Sequence, residues 1–82
     1  MKLKYCEADA KTFYIGFNIR GTEFETQLDA LKQSIPTNER RYNRERRYWE
    51  VVATPENEQR LRALYPDFAK KMDVIRSQLS LF

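Results

Sequence analysis

Residues 13–20, Phe13-Tyr14-Ile15-Gly16-Phe17-Asn18-Ile19-Arg20, decide the fold. Phe13, Ile15, Phe17 and Ile19 alternate with Tyr14, Asn18 and Arg20. A period of two built from aromatic and β-branched residues is the pattern of a strand. Its odd positions face a core and its even positions face the other way. Upstream, Leu3 and Tyr5 alternate with Lys2 and Lys4, which predicts a second strand. Ala8-Asp9-Ala10-Lys11 is the expected turn between the two, closing a first hairpin.

Downstream of the hairpin, Gly21 ends the strand, and Thr22 with Glu25 forms a T-x-x-E capping box for a helix start. Phe24, Leu28, Leu31 and Ile35 follow at helical spacing, and Pro36 stops the helix at or before Ile35. In residues 40–52, Asn43 to Arg46 suits a turn and Tyr48 to Val52 a strand. Pairing Tyr42 with Trp49 places both on one sheet face beside Val51, where both are expected in the core. Tyr48 and Glu50 then point to the opposite face. Thr54-Pro55-Glu56 opens a further helix with an N-cap, a proline in the first turn and an acid at the positive dipole end. Leu61, Leu64 and Phe68 continue its stripe, but Pro66 forces Tyr65 out of helical geometry. A break and a restarted helix carrying Phe68, Met72, Ile75 and Leu79 are expected. The order β-β-α-β-β-α-α predicts an α+β fold of two layers: an antiparallel sheet of two hairpins with helices on one face. The other face is expected to show Lys2, Lys4, Tyr14, Asn18, Arg20 and Tyr48.

Composition narrows the function. At 82 residues, 41% hydrophobic and 33% charged, the chain suits one globular domain. No apolar run approaches the roughly 20 residues of a membrane span, and the N-terminal Met-Lys-Leu-Lys-Tyr-Cys lacks the apolar stretch of a signal peptide, so a cytoplasmic protein is expected. Cys6 stands alone, read as a half-buried strand residue with no neighbouring base, and histidine is absent. The carboxylates Glu7, Asp9, Asp29, Asp67 and Asp73 are scattered, without metal-ligand spacing, and no glycine-rich phosphate loop occurs. Neither an enzyme, a cofactor, a metal site nor a small-molecule substrate is expected. A net charge of +3 permits a polyanionic partner.

Residues 40–47 hold five arginines, Arg40, Arg41, Arg44, Arg46 and Arg47, against one acid, Glu45. A hairpin gathers them at one tip, where guanidinium forks suit phosphate oxygens. Tyr14 and Tyr48 on the open sheet face are placed to stack on unpaired bases. Local pairing with Glu39, Glu45 and Glu50 is the plainer reading, a solvated charged hairpin.

The last five residues are Gln78-Leu79-Ser80-Leu81-Phe82. They resemble the bacterial sliding-clamp-binding motif, Gln-Leu-(Ser or Asp)-Leu-Phe, at all five positions; chance odds at a given position are on the order of 10⁻⁶. The resemblance implies that Leu81 and Phe82 enter an apolar pocket on the clamp. Gln78 would hydrogen-bond at a second subsite, with Leu79 and Ser80 spanning between. The helical stripe gives a rival reading, in which Leu79 and Phe82 pack inward as core while Gln78 and Leu81 fall out of phase. Residues 1–77 are thus expected as the folded domain and 78–82 as a clamp-binding tail.

A second resemblance covers residues 13–65. Ile35-Pro36, Arg41-Tyr42-Asn43 and Arg47-Tyr48-Trp49-Glu50-Val51 resemble the HARP domain, the substrate-recognition module beside annealing-helicase motors. It departs at Asn43, where the family more often has Asp, and no helicase motor accompanies it. The likeness implies recognition of branched or fork DNA and does not imply ATP-driven activity. The expected function is a non-enzymatic DNA replication or repair accessory of bacterial or phage origin. It would dock on the β sliding clamp and contact fork or single-stranded DNA. An inhibitor occupying the clamp groove, or a plain HARP-like DNA-binding module with a structural C-terminus, are the alternatives.

Overall fold

A computed structural model describes residues 3–17 and 23–79. Four strands, β1 (Leu3–Ala8), β2 (Thr12–Phe17), β3 (Arg40–Asn43) and β4 (Tyr48–Val52), form one antiparallel sheet in the order β1-β2-β4-β3. Helices α1 (Glu23–Ser34), α2 (Pro55–Leu64) and α3 (Pro66–Leu79) accompany it, with a single 3₁₀ turn at Thr37–Glu39. This is the α+β architecture that the sequence predicts, with both hairpins in place. The expected strand residues Asn18, Ile19 and Arg20, the cap residue Thr22, and Lys2 lie outside the described residues.

The first turn is built by Asp9. Its Oδ1 accepts from the backbone N–H groups of Lys11 and Thr12, both at 2.8 Å, an Asx-type turn that fixes the hairpin register. In the second hairpin Asn43 does the same work: its Oδ1 accepts from the Arg46 N–H and its carbonyl from the Arg47 N–H. Arg47 closes that loop at φ 60, the left-handed region that favours glycine or asparagine. The predicted pairing is observed, with Tyr42 opposite Trp49 and Asn43 opposite Tyr48.

The core lies between sheet and helices. Phe13, Ile15, Phe17 and Val51 come from the sheet; Leu31 and Ile35 end the α1 stripe; Leu61, Tyr65, Phe68 and Met72 come from the α2–α3 arm. Phe13 meets Phe68 edge to face at 5.2 Å, and Phe17 lies between Tyr65 and Phe24. Thr54 caps α2 by accepting from the Asn57 N–H. Tyr65, before Pro66, is extended at φ −129, ψ 104, which ends α2 and lets α3 restart. That kink drives Tyr65 fully into the core, where its hydroxyl donates to the Gln27 carbonyl of α1 at 2.8 Å. Burial raises the Tyr65 hydroxyl pKa far above its ordinary value, so the group is a permanent donor.

Two buried polar residues tie the helices to the sheet and to each other. Asn57 Nδ2 donates to Glu39 Oε1 and to the Val52 carbonyl, while its Oδ1 accepts from Arg60. Glu58 accepts from Arg62 and from Arg76, joining α2 to α3. Among the described residues, no helix is long and apolar enough to cross a membrane.

Two expectations need correction. Tyr5 does not share the inward face with Leu3. Leu3 pairs with Phe17 but Tyr5 pairs with Gly16, so a bulge at Lys4 inserts one residue and flips everything after it. Cys6 and Ala8 thereby turn inward against the core, Tyr5 turns outward, and Lys4 leaves the open face to line a groove with Phe17 and Trp49. Tyr42 is not core either. It lies on the same face as Trp49, but β3 is an edge strand and the ring is 44% exposed. Trp49, one strand further in, is half-buried against the core.

Candidate nucleic-acid interface

The sheet face away from the core carries three tyrosines from three strands. Tyr14 of β2 and Tyr48 of β4 stand where the alternation places them, and the bulge adds Tyr5 of β1. Tyr5 stacks on Tyr48 at 5.3 Å with the rings 16° from parallel, and Tyr14 meets Tyr48 at 5.2 Å, tilted by 52°. Gly16 makes the cluster possible. It pairs with Tyr5, and the register Ile15–Trp49, carried one step further, sets it opposite Tyr48. With no side chain at 16, rings from the flanking strands close over the gap between them. Sequence reasoning missed Tyr5 because the bulge leaves no mark on alternation; the isolated glycine within a strand pattern was the available signal.

Tyr14 is held by the first turn. Its hydroxyl donates to Asp9 Oδ2 at 2.5 Å. That bond, reinforced by the Lys11 and Thr12 amides, holds the Asp9 carboxyl below its ordinary range and pushes the Tyr14 hydroxyl above its own. The ring is therefore oriented at both ends, by Asp9 at the hydroxyl and by Tyr48 beside it.

The arginines divide. Arg40 is committed within the chain: its Nε donates to the Ile35 carbonyl at the end of α1 and its guanidinium reaches Thr37 Oγ1. Two of its five N–H donors are thus spent within the chain, fastening the end of α1 to the start of β3. Arg41, Arg44, Arg46 and Arg47 are exposed, and none makes an ion pair among the described residues. The acids expected to neutralise them are engaged elsewhere or apart: Glu39 accepts from Asn57, Glu50 from Asn43, and Glu45 is exposed in the loop. Arg41 lies across from Glu50 on the tyrosine face. The hairpin tip is thus a cationic ridge bordering an aromatic surface. Such a surface can hold a polyanion by its phosphates and flat rings by stacking.

Cys6 is half-buried, and burial pushes its thiol up to about 11, which suits packing and not nucleophilic chemistry. Among the described residues no group of three or more His, Cys, Asp or Glu could hold a metal ion.

Of the motif residues, Gln78 is exposed on the last turn of α3 and Leu79 is that helix's final residue. Ser80, Leu81 and Phe82 lie outside the described residues. The helix therefore runs two residues into the segment expected as a tail. Phe68 and Met72 of the α3 stripe are buried and Ile75 is half-buried. No protein family, curated protein or solved structure matches this chain.

Proposed function

We propose that this protein is a non-enzymatic accessory factor of DNA replication or repair. It binds the bacterial sliding clamp through Gln78-Leu79-Ser80-Leu81-Phe82 and contacts fork or single-stranded DNA through its tyrosine face and the Arg41–Arg47 hairpin. The observation that carries the reading is the pentapeptide, with a match to the clamp-binding pattern at every position. Its placement supports it: the motif begins on an exposed turn of α3, past Met72, the last buried side chain among the described residues. Extended docking in a clamp groove requires Gln78 and Leu79 to leave the helix, a small cost at a helix end. Leu81 and Phe82 offer roughly 1.5–3 kcal/mol each on burial, offset in part by ordering the segment, so the peptide alone binds in the micromolar range. DNA contact by the folded part converts that weak grip into a bivalent one at a clamp loaded on DNA.

Deletion of residues 78–82 tests the reading with two readouts. If the segment is a ligand, the melt shifts by no more than about 1 kcal/mol and clamp binding is abolished. If Leu79 and Phe82 are core, stability falls by several kcal/mol, because buried apolar side chains are lost.

A further inference from the structure

Tyr48 and Trp49 are neighbours in sequence and leave β4 on opposite faces. Tyr48 joins the tyrosine cluster. Trp49 turns toward the helices, where it lines a groove of about 380 Å³ with Tyr42, Phe17, Phe24 and Leu28. The other described lining residues are Lys4 and Arg47, so among the described residues the charge on the groove's walls is positive. Tyr42 is 44% exposed although its ring lies 5.3 Å from that of Trp49, at a tilt of 54°. Arg47 is set beside this pair by a left-handed backbone that an arginine rarely adopts.

We propose that this groove receives one unstacked base of a nucleic-acid strand, with the adjoining phosphates on Arg47 and Lys4. The proposal rests on the nucleic-acid reading above and extends it to the second face of the sheet. The size is right: ligand sites run from about 300 to 1,000 Å³, and this groove lies at the small end, suited to one flat ring system. The chemistry is also right. Aromatic walls accept any base by stacking, and the two cations at the groove, Lys4 and Arg47, favour a ligand that carries phosphate over an apolar peptide. The β3–β4 hairpin then stands between two strand paths, with tyrosines on one side, the groove on the other, and Arg44 and Arg46 at its tip.

Trp49 is the chain's single tryptophan, so its emission reports the groove directly. The full chain is titrated at low salt with an oligothymidylate of about 12 nucleotides, and with an abasic oligomer of equal length. Both are expected to bind, and only the oligothymidylate to quench Trp49. Tyr42→Ala, an exposed position, should weaken oligothymidylate binding about 5- to 150-fold, as loss of one stacked base implies, and leave abasic binding unchanged. Tyr48→Ala should weaken binding but leave the quench in the complex formed. Oligothymidylate binding with unaltered emission, undiminished in Tyr42→Ala, overturns the groove and leaves the tyrosine face standing. Absence of binding to either oligomer overturns both. An emission change with purified sliding clamp but not with oligothymidylate assigns the groove to protein and overturns the proposal.

Discussion

Gly16→Ala is the sharpest probe of how the open face is built. A Cβ at position 16 would lie 2.9 Å from Tyr5 Cβ and 3.4 Å from the Tyr5 backbone nitrogen. Both atoms sit at the root of the residue, so no rotamer change relieves the clash; β1 must move away from β2 or the bulge must shift. Overpacking of this kind costs about 1–3 kcal/mol. Loss of the Tyr5–Tyr48 stack adds about 0.5–1.5 kcal/mol. Against this, replacing glycine restricts the unfolded chain and returns about 0.4–1 kcal/mol. The net is a loss of about 0.5–4 kcal/mol, centred near 2, a sizeable fraction of what an 82-residue domain possesses. With a urea slope near 1 kcal/mol per molar, the midpoint of a urea melt falls by about 2 M, within a range of about 0.5–4 M. The near-ultraviolet dichroism of the tyrosines should weaken in the same variant before any unfolding. A midpoint equal to or above that of the parent, with the tyrosine signal intact, would refute both the bulge register and the role of Gly16 as a spacer.

Other perturbations separate structural from functional side chains. Asn57→Ala removes two donated bonds from a fully buried site, one of them to the Glu39 carboxylate, and leaves the Val52 carbonyl with only its bond from the Thr54 N–H, so a denaturant melt should show a loss of about 2–4 kcal/mol. Arg47→Gly relieves the left-handed strain and should gain up to about 1 kcal/mol in the melt, while fork-DNA affinity falls. Replacing Arg41, Arg44 and Arg47 together should flatten the slope of log affinity against log salt by somewhat under one unit per lost contact, whereas Arg40→Ala should act on stability instead. The lowered Asp9 pKa means that its contribution is fully present above the ordinary carboxylate range and is lost as pH falls through its folded value; a carboxyl titration followed by NMR should move back upward in Tyr14→Phe. With its thiol near 11, Cys6 carries roughly one thiolate in a thousand at pH 8 and should label slowly in native protein and rapidly in denaturant.

Much of this architecture was legible because local signals and tertiary demands agree. Pro36 and Pro66 bound their helices, the alternation of Phe13, Ile15 and Phe17 sets the buried face of β2, and Tyr42–Trp49 register follows from a short loop between them. What was hidden is non-local. A bulge at Lys4 is decided by pairing with β2, so alternation within β1 alone misassigns Tyr5. Tyr42 has an inward-type position but sits at an edge, and edge status depends on strand order, which pattern does not encode. Arg40 belongs to the arginine run in composition but to the end of α1 in space. The clamp-type motif is legible as a string of residues, independent of the fold that presents it.

The most direct measurement is a titration of the full-length protein with purified bacterial sliding clamp, followed by fluorescence anisotropy of labelled protein. A saturable, micromolar interaction that disappears when Leu81 and Phe82 are both replaced by alanine is the predicted result. No binding with clamp at about 100 µM, well above the affinity such an apolar anchor supplies, would contradict the account at its centre.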